Sequence, residues 1–330
     1  MSDLTIYTNR VDPPWNPAGV LAGSEEAVVL LAEAVAQAGH TVQVYASLAR
    51  PAFEHNAVNY YPRESFDPCV GRRILVTWKD NEPWLWPRRC ATAIHWTADV
   101  EPKWRWPRAM VEKLDAAVVL STYHGERTAD VWGDKLRVIP LGVPERYTKP
   151  QASGQRAARA LYTSSPDRGL EMLLRNWAAI AWRLNATAGL ACTYPFAYQM
   201  VAPPGVQILG ALPTELWDKL VSESTWWVYP LHGPNGPVPD SDIFSLNAVK
   251  VQALGCIPVV TQAAVENSGL RDTVKRYIEL GELIRTGDST VRINPRAVKE
   301  LPLTWPVVYR RFWKPLFNGS VAAEQEVANG

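Results

Sequence analysis

What this sequence has little of narrows the field before any motif is considered. Four cysteines occur in 330 residues, Cys69, Cys90, Cys192 and Cys256, and no two are spaced as C-x-x-C. That spacing argues against a zinc knuckle or a redox pair and suits free thiols in a reducing compartment. No apolar run approaches the roughly 18 residues of a spanning helix. The opening MSDLTIYTNR reads as a strand and lacks the basic-then-apolar design of a secretory signal, so a cytoplasmic protein is expected. Formal net charge is only +1. No global field would then hold a nucleic acid or a membrane, and any polyanion affinity must come from a local patch. No G-x-G-x-x-G follows the first apolar run, and Gly19 and Gly23 stand too far from Leu4–Thr8 for a dinucleotide fingerprint.

Apolar residues, by contrast, are ample. They make up 47% of the chain against 20% charged, enough for two domains of ordinary size. Short apolar runs alternate with helical segments. Strands are expected at Leu4–Thr8, Thr41–Tyr45, Ile74–Trp78, Ala93–Trp96, Ala116–Leu120 and Arg137–Ile139. A helix between the first two has Ser24 as N-cap and a stripe of Ala27, Leu30, Leu31, Ala34 and Val35, and Gly39 stops it. Residues 146–157 lose the apolar pattern and form a linker. The alternation then restarts, with strands at Ala160–Thr163, Gly189–Tyr194, Val206–Leu209, Trp226–Leu231 and Ile257–Thr261. Helices are clearest at Leu170–Leu184 and Thr214–Ser222. Two β–α–β series imply two doubly wound α/β domains, with the cleft between them as the default site. The alternation alone does not separate a transferase from an oxidoreductase or a binding protein.

The sharpest local feature is Tyr162-Thr-Ser-Ser-Pro-Asp-Arg168-Gly-Leu170, a strand that runs through a tight turn into a helix. Hydroxyls, free backbone N–H groups and a guanidinium at a helix N-terminus suit a phosphate. A well-capped helix with Arg168 on a surface carboxylate fits the spacing equally.

The string TSSPDRGLEMLL resembles the phosphate-binding turn of the family 4 retaining glycosyltransferases of GT-B fold. Five further segments resemble that family in the same order. They are Gly19 to Glu25 (its glycine-rich loop), Val119 to Thr122, Val138 to Val143, Ile208 to Pro213 (the turn bordering the nucleotide base) and Ala253 to Val260. The likeness spans about residues 4–262. It implies two Rossmann-like domains facing across a cleft. The first, 1–148, would bind the acceptor and the second, 149–300, the nucleotide-sugar. A helix at 301–318 would cross back to the first, ahead of a frayed tail at 319–330. The donor implied is a nucleoside-diphosphate sugar, UDP-linked first and GDP-linked second. No cofactor and no metal are expected, since no Asp-x-Asp or histidine cluster is taken to suggest a divalent metal and basic side chains do a metal's work in this fold.

The same resemblance distributes roles. Arg168 would bind the diphosphate, with Ser164 and Ser165 beside it and Gly19, Gly23 and Ser24 approaching it. Phe244, Ser245 and Leu246 would present backbone N–H groups, and Leu212 would border the base. The family's carboxylate pair aligns with Asp242 and Lys250. Asp242 would hold donor hydroxyls. A lysine at the second position replaces an acceptor of ribose hydrogen bonds with a cationic donor. That change reworks nucleotide recognition, marks an unusual donor, or signals a decayed site. The loop from His232 to Ser241 is either ordered by the donor or simply long. His95, at a strand end, would contact the donor sugar, although a lone histidine is as readily structural. Asp99 just beyond is a candidate base, or in a retaining enzyme an acceptor-orienting group.

Tryptophan is the compositional outlier, with 15 copies, and Trp78, Trp84, Trp86, Trp96, Trp104 and Trp106 lie among basic residues. Residues 72–108 hold eight basic against four acidic side chains. Lys79, Trp84, Trp86, Arg88, Arg89, Trp104 and Arg105 are therefore candidate acceptor-binding residues. Such a patch suits DNA, with a hydroxymethylated base as acceptor; a lipid, glycan or small molecule is the alternative. The tryptophans could also be core and the arginines a solvated face. A binding module that kept the fold and lost turnover is the rival from outside enzymes.

Overall fold

The structure is a computed structural model that describes residues 3–11, 14–19, 21, 23–149, 155–193, 202–233, 236–237, 240 and 242–319. Two compact units result, Met1–Pro144 with Leu303–Gly330, and Glu145–Pro302.

The first unit is built on strands β1 (Leu4–Thr8), β2 (Val42–Ala46), β3 (Phe53–His55), β4 (Val58–Pro62), β5 (Arg72–Trp78), β6 (Cys90–Trp96), β7 (Ala116–Val119) and β8 (Leu136–Val138). They form one sheet in the order β3-β4-β2-β1-β5-β6-β7-β8. All neighbours run parallel except the β3–β4 hairpin. That hairpin was not among the expected strands. It turns on Asn56 and Ala57, both at positive φ, without the Asn-Gly or Asp-Gly pair that makes such turns legible.

The helix Gly23–Gln37 buries Ala27, Val28, Leu31, Ala34 and Val35. It begins two residues earlier than expected, so Ser24 lies in its first turn instead of capping it, and Val28 takes the buried place given to the half-exposed Leu30. A different device fills one face of the sheet. Apart from β6, the chain between β5 and β7 makes only 3-10 turns at Glu82–Leu85 and Lys103–Arg105 and a single helical turn at Arg108–Val111. Large rings occupy the volume a helix would have filled. Trp84, Trp106 and Trp132 pack with Tyr7, Leu75, Ala93, Ala117 and Val119 into one cluster. Each such ring contributes roughly 4–6 kcal/mol of transfer free energy.

The second unit has β9 (Ala157–Tyr162), β10 (Leu190–Cys192), β11 (Val206–Ile208), β12 (Ser224–Tyr229), a two-strand hairpin β13 (His232–Gly233) and β14 (Gly236–Pro237), then β15 (Ile257–Val260), β16 (Arg276–Glu279) and β17 (Val291–Ile293). Its main sheet runs β11-β10-β9-β12-β15-β16-β17, parallel except for the β16–β17 edge. The helices Leu170–Leu184 and Thr214–Ser222 form as expected. The first buries Leu170, Leu173, Trp177, Ile180 and Leu184, a helical stripe. In each sheet the order reverses at its first strand, β1 or β9, and this switch point is where open α/β sheets take ligands.

The unit boundaries fall at 144/145 and 302/303, against the expected 148/149 and 300/301. Arg146 Nε bonds Asp218 at 2.7 Å, and the Tyr147 hydroxyl bonds the same carboxylate, which ties 145–148 to the second unit. The closing segment is helical from Trp305 to Phe317, with a π-helical stretch at Tyr309–Trp313. Trp305, Val308, Tyr309, Phe312 and Trp313 are buried, and the Trp313 ring meets Trp96 edge-on at 5.2 Å. The tail from 320 onward and the linker residues 150–154 lie outside the described residues.

Gly142 lets this segment dock. A Cβ there would stand 2.7 Å from Trp305 Cγ and 2.8 Å from its Cα. Gly142→Ala is therefore expected to destabilise the protein by about 1–3 kcal/mol through overpacking, read as a shifted denaturation midpoint with an unchanged urea m-value.

Candidate functional site

In the second unit, β9 and β12 lie side by side at the switch point, and their carboxyl ends carry the chemistry. After β9 come Thr163, Ser164 and Ser165, then the 3-10 turn Pro166–Arg168. Trp227 Nε1 donates to Thr163 Oγ1 at 2.9 Å and Asn247 Nδ2 to its carbonyl at 2.9 Å, which fixes the path of the turn. Gly169 follows at φ 108°. A Cβ there would also meet Pro230 Cβ at 2.8 Å, so the turn presses against the end of β12. No side chain caps the Leu170–Leu184 helix, which leaves its first N–H groups available to an anion.

Arg168 is half-buried. Its terminal nitrogen reaches the Tyr229 hydroxyl at 3.5 Å, and its Nε has no hydrogen-bond partner among the described residues. Tyr229, the last residue of β12, is buried, and its hydroxyl also bonds the Asp242 carboxylate. Ser245 bonds the same carboxylate and accepts from Ala248 N at 3.3 Å as N-cap of the helix Leu246–Ala253. Arg168, Tyr229, Asp242 and Ser245 thus form one connected cluster. Burial pushes the Asp242 carboxyl above its usual range, with Arg168, Tyr229 and Ser245 working against that shift. Burial works against the charge of Arg168, but Tyr229 and Asp242 more than offset it, and its pKa is raised.

The remaining donor-side candidates occupy distinct places. Phe244 is buried and Leu246 half-buried at the helix start. Lys250 is buried on that helix, with its ammonium 5.6 Å from the centre of the Tyr147 ring. Leu212 is half-buried in the turn after β11, which Leu209 N anchors by a 2.8 Å bond to Cys192 O. Ile208, Leu209 and Leu216 expose apolar surface around that turn. Residues 234–235, 238–239 and 241 of the His232–Ser241 loop lie outside the described residues. Asp240-Ser241-Asp242 is an Asp-x-Asp string, but Asp242 is turned into the Tyr229–Ser245 cluster. Among the described residues no group of three or more His, Cys, Asp or Glu could hold a metal.

In the first unit, Gly19 N donates to Asn16 O at 2.8 Å, and a Cβ on Gly23 would meet nothing within 4 Å. Among the described residues no packing requires glycine at Gly23. Burial raises the pKa of Glu25, two residues on, with Lys79 opposing. Lys79 follows β5 at φ 58°, a left-handed conformation that costs a non-glycine residue about 1 kcal/mol or more. It pairs with Asp99 at 2.9 Å.

His95 departs from its expected place. It is fully buried near the end of the interior strand β6, in tilted contact with Trp106 and Trp132 at 4.2 and 5.4 Å between ring centres. Trp84 Nε1 donates to Thr77 Oγ1 at 2.9 Å, and that hydroxyl stands 2.8 Å from His95 Nδ1. Thr77 thus links the Trp84 indole to the His95 ring. Burial lowers its pKa and keeps it neutral. His95 is thus held from behind as a structural group and is not displayed to a substrate. His124, unforeseen in the sequence, takes Leu120 N on Nδ1 at 3.2 Å and donates from Nε2 to Asp99 O at 2.9 Å; burial lowers its pKa to about 4.

The acceptor patch is also corrected in part. Trp84 and Trp106 are buried in the cluster that replaces a missing helix, and Trp78 and Trp96 pack on each other, with Trp96 against Trp305 and Trp313; only Trp86 and Trp104 of the six are exposed, at 50% and 80%. Arg88 is held by Asp115 at 2.6 Å and by the carbonyls of Cys90 and Lys113. Arg105 lies 3.5 Å from Glu101. Arg89 is exposed.

No protein-family model matches the chain, and no curated protein sequence matches it. Solved structures do. A sucrose-phosphate synthase from Thermosynechococcus elongatus matches with TM-score 0.55 at 15% identity, over 81% of this chain and 82% of that one. WaaG, a glycosyltransferase involved in lipopolysaccharide biosynthesis, matches with TM-score 0.52 at 12% identity, over 99% and 95%. An alpha-glucosyltransferase solved with UDP and a 13-mer DNA matches with TM-score 0.56 at 10% identity, over 86% and 88%. At these identities the likeness establishes the fold, and the chain has the GT-B fold with two Rossmann-like halves.

The raised pKa of Asp242 has a thermodynamic sign. A carboxyl whose folded pKa exceeds its unfolded value binds protons better when folded, so stability falls as pH rises through that window and stays lower above it. Asp242→Asn is expected to be as stable as the parent or more so at pH 7, with the gain shrinking in acid. Urea unfolding at several pH values measures this; a clear loss of stability at pH 7 would contradict the charge balance described above.

Proposed function

We propose that the protein is a glycosyltransferase that moves a hexose or pentose from a nucleoside-diphosphate sugar, UDP-linked first, to an acceptor hydroxyl with retention. The observation that carries this reading is the Arg168–Tyr229–Asp242 cluster at the β9–β12 switch point, beside an uncapped helix N-terminus. A half-buried guanidinium held by Tyr229 supplies positive charge for a diphosphate oxygen, and the helix N–H groups add a second anchor. Ser164, Ser165 and the N–H groups at Phe244, Ser245 and Leu246 complete that role. Asp242 accepts from a sugar hydroxyl. The exposed apolar turn around Leu212 borders the base, while Gly19, Gly23 and Ser24 leave room for the donor. Lys250, against Tyr147, holds the nucleoside by donation. No metal enters this reading, because the charge leaving with the diphosphate falls to Arg168 and the helix dipoles.

Two acceptor readings have separate support. Structural neighbours solved as DNA complexes favour a hydroxymethylated base in DNA, held by Arg89 and Trp104. The burial of Trp84 and the pairing of Lys79, Arg88 and Arg105 with carboxylates favour a less charged acceptor, with Lys79 and Asp99 orienting its hydroxyl. A decayed binding module draws support only from Lys250.

The test is a thermal-shift screen against UDP-, GDP-, ADP- and dTDP-sugars, followed by donor hydrolysis and transfer to hydroxymethylated DNA across a salt series. A native-state ligand raises Tm. Arg168→Ala is expected to abolish that shift and to cut turnover by roughly 10²–10³-fold. Undiminished turnover in the variant removes the reading, and donor binding without any hydrolysis selects the decayed module.

A further inference from the structure

A cleft of about 150 Å³ opens in the first unit at the carboxyl ends of β1, β4 and β5. Its place follows from topology, since β1 and β5 flank that sheet's own switch point. Tyr7 is the penultimate residue of β1, Arg63 follows β4 directly, and Glu82 lies in the turn after β5.

The walls are aromatic. Tyr7 and Phe66 meet with ring centres 4.6 Å apart, and the half-exposed Trp86 also lines the cleft. Lys113 Nζ donates to the carbonyls of Trp84 and Trp86, at 2.6 and 3.0 Å, so the backbone that carries the ring is pinned. Half-exposing a large ring forgoes burial energy, and an exposed ring beside a cleft is a recognition surface.

The floor is polar and rigid. Arg63, 9% exposed, donates to Thr8 O at 2.8 Å and Asp80 at 2.6 Å, and also to Glu82. Tyr7 donates to Glu82 at 2.8 Å. At the rim Arg10 stands 3.8 Å from Glu64. Every cation of the lining therefore has a carboxylate against it.

These features select among ligands. An anion finds no uncompensated cation and meets the carboxylates of Glu64 and Glu82. A wholly apolar ligand would desolvate Arg63 and Glu82 without replacing their water. A neutral ring with hydroxyls on its edge and C–H bonds on its face meets both demands: hydroxyls donate to Glu82, and the face lies on Trp86. We infer that this cleft is a saccharide subsite that takes one neutral sugar ring. On the proposed reaction, it holds part of the acceptor.

Binding can be measured without donor or turnover, so this inference and the transferase reading fail separately. The full chain is titrated with glucose, galactose, mannose, N-acetylglucosamine and maltose, and in parallel with glucose 6-phosphate and 5-hydroxymethyl-dCMP. Saturation-transfer NMR and tryptophan fluorescence report binding. At least one neutral sugar should bind with a Kd of about 1–10 mM, and Trp86→Ala, folded by circular dichroism, should weaken it about tenfold or more. Glu82→Gln, with Arg63 still held by Asp80 and Thr8, should weaken it as well. The inference is overturned if no neutral sugar binds by about 100 mM. Unchanged affinity in Trp86→Ala overturns it too, as does tighter Trp86-dependent binding of either phosphate-bearing probe. Donor-induced stabilisation that persists beside such a failure leaves the transferase reading intact.

Discussion

A phenol hydroxyl that bridges a guanidinium and a carboxylate is the contact on which the second unit's site depends. Tyr229 accepts from Arg168 and donates to Asp242, which uses both capacities of one hydroxyl. Without a shared neutral partner, a buried carboxylate and a half-buried guanidinium either collapse into a direct pair or move apart towards water, and in both cases the guanidinium is lost as an anion receptor. The bridge holds the two groups apart, each in contact with one hydroxyl. Everything around it serves that spacing: Gly169 brings the Arg168 turn against β12, and Ser245 fixes the carboxylate from the helix side.

The first unit solves a different problem. A doubly wound sheet needs both faces covered, and residues 79–115 supply almost no helix. Indole rings fill that face, and their polar edges then need partners. Trp84 finds one in Thr77, which also contacts His95, so a residue chosen for volume ends by placing a histidine ring. Trp106 and Trp132 have no hydrogen-bond partner for Nε1 among the described residues; they contribute packing alone. This is why a sequence stretch rich in Trp and Arg yields less binding surface than its composition implies.

Legibility in the sequence followed the range of the forces involved. β1 and the helices Leu170–Leu184 and Thr214–Ser222 were readable because short-range periodicity and end signals determine them. So was the Arg168 turn, a contiguous string. Tyr229 was not, because a tyrosine ending a strand is indistinguishable from core until Asp242, thirteen residues on, folds back to it. His95 and Trp84 misled for the same reason: strand-end position is local, while burial depends on what a distant segment fails to cover. The Arg63 cleft gave no signal either, since its floor is assembled from three separate strand ends.

The Gly142–Trp305 contact has a consequence for how the chain is made. Val143 N bonds Leu303 O at 2.8 Å, and Val143 bridges Thr304, so the chain leaves the first unit and re-enters it at one point. The second unit is an insertion whose two ends emerge side by side. Trp305 and Trp313, which pack on Trp96, follow the whole second unit in the chain and are translated after it. Prior folding of the insertion draws those ends together and removes most of the loop-closure entropy of that last step. Assembly order is thereby written into connectivity: the inserted half acts as a splint for the half that encloses it.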